Sequence, residues 1–352
     1  MSLAVLKMQT TIKLRLRDKH AAELNRQARA VNFVWNYLND AQRHMLRWDR
    51  WLSTYAFQRL TAGACKELDL HAHTIKCICD AYVRARRTHN RTWLRWRGRK
   101  SLGWVPFSTG HVTFDGSAFV FRGQRYQAIH LRDTLRAGVK IGAGSFNQDA
   151  SGRWYLNLPI EIDCADSAPN SRAGIDLGLA TLATISTGAK IEAPRFYRAS
   201  EAALAVKQRA RKSPARIRKL HAKIANRRKD FLHKATARLS SQFGLIVVGN
   251  VRPSQLAKTR MAKSVLDAGW SDFRRMLSYK SIRNGGSTLE VSEAYTSQAC
   301  SECGCLGGPK GLKGLQIREW ECAGCGSVHD RDVNSARLIL ARGLASLAEG
   351  AA

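Results

Sequence analysis

Nine cysteines occur in this sequence, and five of them lie between Cys300 and Cys325. Cys300-x-x-Cys303 and Cys322-x-x-Cys325 are separated by eighteen residues, a spacing at which each pair grips one side of a tetrahedral ion. The pattern predicts a structural zinc site with Cys300, Cys303, Cys322 and Cys325 as ligands, and Gly304 and Gly326 suit the tight turns after each pair. Cys305 could in principle replace Cys303, but the two-residue spacing favours Cys303. A closed four-thiolate site folds its own segment and performs no hydrolysis. Cys65, Cys77, Cys79 and Cys164 read as isolated small apolar residues, and this clustering is unlike a secreted disulfide scaffold.

Hydrolysis, if the chain performs any, falls to carboxylates. Asp176 sits between Ile175 and Leu177 in an apolar run, where a charge is costly unless it is directed at a cation, either a metal ion or an Arg partner. His329-Asp-Arg-Asp-Val-Asn-Ser-Ala-Arg337 carries two more acids. Helix capping by Asp330 and dipole compensation by Asp332 account for both without any catalysis. The alternative is that Asp332 faces Asp176 across a divalent-metal site.

The cationic chemistry is more extensive. Lys and Arg number 58 against 27 Asp and Glu, a net charge of +31 over 352 residues, which calls for an anionic partner, most commonly nucleic acid. Between residues 202 and 239, Arg209, Arg211, Lys212, Arg216, Arg218, Lys219, Arg227 and Arg228 stand among further cations with almost no acid except Asp230. A solvated helix normally mixes both signs, so these positions are assigned to phosphate contact. Trp93-Leu-Arg-Trp-Arg-Gly-Arg-Lys100 interleaves Trp with Arg, residue types that either stack on bases or pack a core. No segment has the apolar length to span a bilayer, and the opening MSLAVLKMQTTIKLRLR lacks a cleavable signal architecture, so a soluble, cytoplasmic protein without a membrane partner is expected.

These side chains need elements to carry them. Thr10–Arg17 alternates apolar and basic residues, as an edge strand does, and residues 20–97 take on helical spacing. Short apolar runs at His111–Phe114, Ala118–Phe121, Ala128–Leu131 and Trp154–Leu158 predict an antiparallel sheet or small barrel that the first strand joins. The helical module would then be an insertion into a β domain. Beyond the link at Ser167–Arg172, strands at 173–180, 245–248 and 287–292 alternate with helices at 202–239 and about 264–282, implying a mostly parallel sheet with helices packed on it.

The order of these features resembles the TnpB family, transposon-encoded proteins of RuvC/RNase H type related to compact type V CRISPR effectors. The resemblance rests on Gly174-Ile-Asp-Leu-Gly178, the basic helical segment, Tyr295-Thr-Ser-Gln-Ala-Cys-Ser-Glu-Cys-Gly304, Cys322-Ala-Gly-Cys-Gly326 and His329-Asp-Arg-Asp-Val-Asn-Ser-Ala336. It is specific over residues 173–341 and looser before them. It implies a multidomain α+β chain: a wedge β-barrel at 1–19 and 101–168 with a helical recognition domain inserted at 20–100, then an α/β nuclease domain of RuvC type at 169–295 and 328–345. A zinc ribbon at 296–327 contacts target nucleic acid, and 346–352 is a tail. It also implies RNA-guided, magnesium-dependent cleavage of double-stranded DNA next to a short flanking motif, with a structured guide RNA as partner and a nucleoid-associated location. It leaves protein partners unspecified.

The family's nuclease core uses three acids, and by motif Asp176 matches the first and Asp332 the last. Three carboxylates suit two magnesium ions about 3.5 to 4 Å apart, which activate water and stabilise the leaving 3′ oxygen. The middle acid is missing: Leu245-Ile-Val-Val-Gly-Asn-Val251 has Gly249 where the family has Glu. Either cleavage is lost, leaving an RNA-guided DNA-binding protein or repressor, or another carboxylate reaches the same volume. Glu290 is preferred and Glu293 is its alternative: Glu290 alternates with Leu289 and Val291, and Glu293 follows the strand. A direct transposase role ranks last, because no catalytic tyrosine accompanies His71-x-His73.

Overall fold

The computed structural model describes residues 7–131, 135, 139–210, 214–251, 262–314 and 316–349. Two compact units divide the chain, one spanning Gln9–Ile162 and the other built chiefly from Asp163 onward.

In the first unit, strand β1 (Lys7–Arg15) alternates exposed and buried residues and buries Ile12 and Leu14, as its period-two sequence dictates. Helices α1 (Ala21–Met45), α2 (Thr54–Leu60), α3 (Ala64–Glu67) and α4 (Ala72–Thr88) follow. Leu24, Ala28, Val31, Val34 and Leu38 form the buried face of α1, recurring every three or four residues. The expected helical module is present but shorter than expected. It ends at Thr88, beyond which Asn90 takes a left-handed φ of 46° and the Trp/Arg stretch runs on without helix.

Strands β2 (Trp104–Phe107), β3 (Val112–Phe114), β4 (Phe119–Phe121), β5 (Gln124–Tyr126), β6 (Gly144–Gln148) and β7 (Trp154–Asp163) complete the unit. They form a four-stranded sheet, β1-β7-β6-β2, and a three-stranded meander, β3-β4-β5. Among the described residues these two sheets do not close into the expected barrel; Leu16 and Ala128 meet only in an isolated bridge, so 128–131 is not the strand its apolar residues suggested. Both sheets and the helices share one hydrophobic core.

The second unit contains strands β8 (Arg172–Leu177), β9 (Thr181–Ile185), β10 (Lys190–Glu192), β11 (Leu245–Gly249) and β12 (Ser287–Val291) in the order β10-β9-β8-β11-β12. The sheet is mixed rather than mostly parallel. Strands β8, β9 and β10 pair antiparallel through short turns, whereas β11 is parallel to both β8 and β12, because only the later connections are long enough to cross over. Helix α5 (Phe196–Arg209) and helix α6 (Pro214–Gln242) lie between the two halves, and α6 opens on a proline, which fits a first helical turn. The single helix expected near 264–282 is two, Ala262–Ala268 and Trp270–Arg283, broken where Gly269 adopts φ 68°.

Both faces of the sheet are covered. Ala173, Ile175, Ile246 and Val248 pack with Leu232 of α6 and with Phe273 and Leu277 of helix Trp270–Arg283. The C-terminal helix, Arg331–Glu349, covers the other face. There a Cβ on Gly174 would lie 2.0 Å from the Ala336 carbonyl oxygen, and one on Gly343 would lie 2.4 Å from the Val247 side chain, so glycine permits the approach. A short antiparallel hairpin, β13 (Glu319–Glu321) and β14 (Val328–Asp330), precedes that helix. No helix among the described residues is long and apolar enough to cross a membrane.

Candidate active site and metal centre

The parallel register decides which acids can meet. Val248 pairs with Ile175 on one side and with Glu290 on the other, while Gly249 pairs with Val291. In-register residues of a parallel sheet share a face and successive residues alternate, so Ile175, Val248 and Glu290 share one face. Asp176, Gly249 and Val291 occupy the opposite one, under the C-terminal helix. Glu290 is accordingly turned toward helix Trp270–Arg283, where its carboxylate lies 3.4 Å from Arg274 and is 56% exposed. The structure does not bring it to Asp176. Alternation with Leu289 and Val291 misleads because this sheet is covered on both sides, so a polar residue between two apolar ones is not thereby directed at the face of Asp176.

Glu293, two residues past β12, returns to the face of Asp176. A Cβ built on Gly249 would stand 2.9 Å from Glu293 Oε2 and 3.2 Å from Ile339 Cδ1. The glutamate therefore fills the space that a side chain at position 249 would need. Asn250 ties the two strands at this point: its N–H donates to the Val291 carbonyl at 2.9 Å, and its Oδ1 lies 3.4 Å from the Glu293 N–H.

Asp332 comes from the first turn of the C-terminal helix. Asp330 caps that turn, its Oδ1 accepting from the N–H groups of Asp332 and Val333 at 3.0 Å each, while its Oδ2 is 2.6 Å from Lys190 Nζ. The capping expected of Asp330 is thus present and leaves Asp332 available; Arg318 Nη1 is 3.3 Å from Asp332 Oδ2. Asp176, Asp332 and Glu293 interact electrostatically. Burial, reinforced by the negative charges of Asp332 and Glu293, pushes the Asp176 carboxyl up to about 7, against the opposing pull of Arg331. Burial also raises Glu293, with Arg274 opposing. All three are carboxylates, the oxygen donors that hard divalent cations such as magnesium take, and burial raises two of them; among the described residues it is the four cysteines whose ligand atoms already converge to within one ion's reach.

The cysteine cluster is separate from this acidic group. The ligand atoms of Cys300, Cys303, Cys322 and Cys325 all lie within 4.8 Å of one another, with Cys300 and Cys325 Sγ 3.7 Å apart and Cys303 and Cys322 Sγ 3.6 Å apart. Zn–S bonds of about 2.3 Å in a tetrahedron place sulfurs roughly 3.8 Å apart, so the four thiols fit that ion. Cys305 contributes its carbonyl, which accepts from the Cys300 N–H at 2.9 Å. His329 Nε2 lies 3.0 Å from Cys300 Sγ, and its ring packs tilted against Trp320, so the imidazole can donate to a thiolate ligand.

One link between knuckle and acids escaped the sequence reading. Asn334, 1% exposed, accepts from the Ser301 N–H at 2.8 Å and donates to the carbonyls of Thr296 and Ala299 at 3.2 and 2.8 Å. It fastens the helix turn bearing Asp332 to the first cysteine pair. A polar residue on the buried side of an apolar helix was the available signal.

The basic candidates divide. Arg209, Arg216, Arg218 and Lys219 are exposed on α5 and α6. Arg227 lies over the Phe196 ring at 4.9 Å, and Arg228 donates to the Leu266 carbonyl at 3.0 Å beside Asp267, so these two also brace the helices. Arg211 and Lys212 lie outside the described residues.

Known proteins resemble this chain. A family model described as "Probable transposase" matches residues 157–260, and one described as "Cas12f1-like, TNB domain" matches residues 270–339. A Streptomyces pristinaespiralis protein named "Putative RNA-guided DNA endonuclease" is 38% identical over 279 residues, covering 73% of this chain and 67% of its own length. The chain belongs to the TnpB family. InsQ of Escherichia coli K12, similarly named, is 34% identical over 228 residues, covering 56% of each chain. Among solved structures, a Cas12f1 complex with single-guide RNA and target DNA aligns over 95% of this TnpB family member and 98% of its own chain, with a TM-score of 0.58 and 12% identity. At that identity the likeness is one of fold.

Proposed function

We propose that this TnpB family member is an RNA-guided DNA endonuclease of a transposable element, and that Asp176, Glu293 and Asp332 form its active site. The observation that carries the active site is the position of Glu293, whose carboxylate fills the volume beside Gly249, on the face and at the strand end that Asp176 occupies. The glutamate has moved from the end of β11 to just past the end of the adjacent β12. Glu290, held by Arg274 on the other face, has no part in the reaction.

Magnesium ions held by the three carboxylates would supply water activation and charge compensation at the leaving 3′ oxygen. The chain's own residues prepare that site. Asp176 keeps its proton to about pH 7 in the absence of a cation, so cation binding and proton release are coupled there. Arg318 and Lys190 partner Asp332 and Asp330 and hold the first helix turn against electrostatic repulsion. The cysteine cluster holds structural zinc and orders the ribbon, which presents Asp332 through Asn334.

Guide RNA and its heteroduplex would be held mainly through phosphates, by Arg209, Arg216, Arg218 and Lys219 among others, while base pairing selects the DNA sequence. The test is to purify the chain with its bound RNA, sequence that RNA, and assay cleavage of a matched target in a randomised flanking library with magnesium or with EDTA. Cleavage next to one enriched motif, abolished by EDTA, is the expected result. A discrete bound RNA and guided DNA binding without any cleavage would instead leave the second reading suggested by Gly249, a guided binding protein. Absence of bound RNA would remove both.

A further inference from the structure

The segment from Arg91 to Leu102 is neither helix nor strand, yet its backbone is firmly held. Asn39 accepts from the Leu94 N–H and donates to the Leu94 carbonyl, both at 2.8 Å, and Asn36 does the same for Arg97, again at 2.8 Å each. Arg97 Nε adds a bond of 2.6 Å to Asn32 Oδ1, and its Nη2 donates to the Leu102 carbonyl at 2.8 Å. Asn32, Asn36 and Asn39 follow one ridge of α1, spaced four and three residues apart, and their amides serve the strap as a neighbouring strand would. Leu94 and Arg97 are thereby drawn inward.

Their neighbours in the strap are left outside. Trp93 is 50% exposed and Trp96 44% exposed, although nothing about a fixed backbone obliges two indoles to face water. Arg91, Arg95, Arg99 and Lys100 are exposed as well, and none forms a salt bridge among the described residues. The open groove they border encloses about 1440 Å³, and no acid lines it. Arg43 lies over the Trp93 ring, 5.4 Å from its centroid, adding a cation beside an aromatic face.

We propose that this strap is a preformed stacking track for unpaired nucleotides of the bound RNA, with bases on Trp93 and Trp96 and phosphates on Arg91, Arg95 and Arg99. The proposal rests on the RNA-guided function above and assigns a site within it. An indole face accepts any base, and a guanidinium accepts any phosphate, so the track is indifferent to sequence. RNA is the chosen occupant because target DNA arrives as a duplex with its bases stacked on each other. Before strands separate, only the RNA offers bare base faces.

The test uses the full chain with three fluorescent probes: a 12-nucleotide unstructured RNA, the same sequence as single-stranded DNA, and a 12-base-pair DNA duplex. The variants are Trp93→Ala with Trp96→Ala, the same pair changed to Phe, and Arg91→Gln with Arg95→Gln. The double alanine variant is expected to bind the single-stranded RNA at least about 5-fold more weakly per lost stack, with an unchanged salt slope and unchanged duplex binding. Phe substitution is expected to recover most of the loss, and the double glutamine variant to lower the salt slope. Unchanged RNA affinity in the double alanine variant would overturn the proposal, as would an equal loss on duplex DNA. A larger loss on single-stranded DNA than on RNA would overturn the choice of occupant. Copurification of a discrete RNA with the unaltered chain tests the functional reading separately; if that RNA is present but protects 91–100 no better in the unaltered chain than in the double alanine variant, only the strap assignment fails.

Discussion

The choice between two glutamates three residues apart turns on strand parity. Glu290 shares a face with Ile175, and Glu293 shares one with Asp176, so Glu290→Ala is expected to leave cleavage within about 3-fold of the unaltered protein. Its exposed contact with Arg274 contributes less than about 1 kcal/mol, and thermal unfolding should barely move. The raised Asp176 carboxyl gives a second prediction. A proton held to about pH 7 in the folded, metal-free chain competes with the cation, so apparent magnesium affinity should rise with pH and level off above about 7. Titrating the metal at pH 6 and pH 8 checks this. The stability sign runs the other way: the folded state binds this proton more tightly than the unfolded chain does, so its contribution is full at low pH and is lost as pH rises through about 7. At this scale the four cysteines were legible from their spacing, whereas Asp176 and Asp332 were singled out as a catalytic pair only by the family resemblance. That Glu293 rather than Glu290 lies beside Gly249 was not legible, since it depends on how β11 and β12 are registered and on both sheet faces being covered.

Elements determine how the acids are held. Gly174 and Gly343 allow the C-terminal helix to lie directly on β8 and β11, and Asn334 then fastens its first turns to the cysteine knuckle. Asn334→Ala would leave the Ser301 N–H and the carbonyls of Thr296 and Ala299 buried without their partner, a loss of roughly 3 kcal/mol, visible as a lowered melting temperature. Cys322→Ser, or stripping zinc with a chelator, is expected to unfold the ribbon and abolish cleavage while the first unit keeps its fold; far-ultraviolet circular dichroism together with limited proteolysis would separate the two. Strand and helix existence was largely readable from periodicity. Strands β2 and β6 were missed because Trp104–Phe107 contains a proline and Gly144–Gln148 is mostly polar, so neither carries the alternation expected of a strand. The Trp/Arg strap was taken with the helical module because its apolar spacing resembles a helix, whereas its hydrogen bonds go to three asparagines on α1.

For the whole molecule, the net charge of +31 governs how RNA binding responds to salt. RNA affinity should fall linearly with salt on a logarithmic plot, with a slope of about −0.7 per phosphate contact for a single strand, and alanine at Arg216, Arg218 and Lys219 together should reduce that slope by about 2; filter binding at several salt concentrations measures both. The acids are few, and Asp176 is buried with Asp332 and Glu293 as negatively charged neighbours. The central claim, that Glu293 occupies the place of the family's missing middle acid, is tested most directly by moving the carboxylate back. Cleavage of a plasmid matched to the copurified RNA should fall by at least about 10³-fold in Glu293→Ala, and Gly249→Glu added to that variant should restore a substantial part of it, since the Glu293 carboxylate that meets a side chain at 249 most closely is then gone and only the flexible end of Ile339 need shift. Undiminished cleavage in Glu293→Ala would contradict the account.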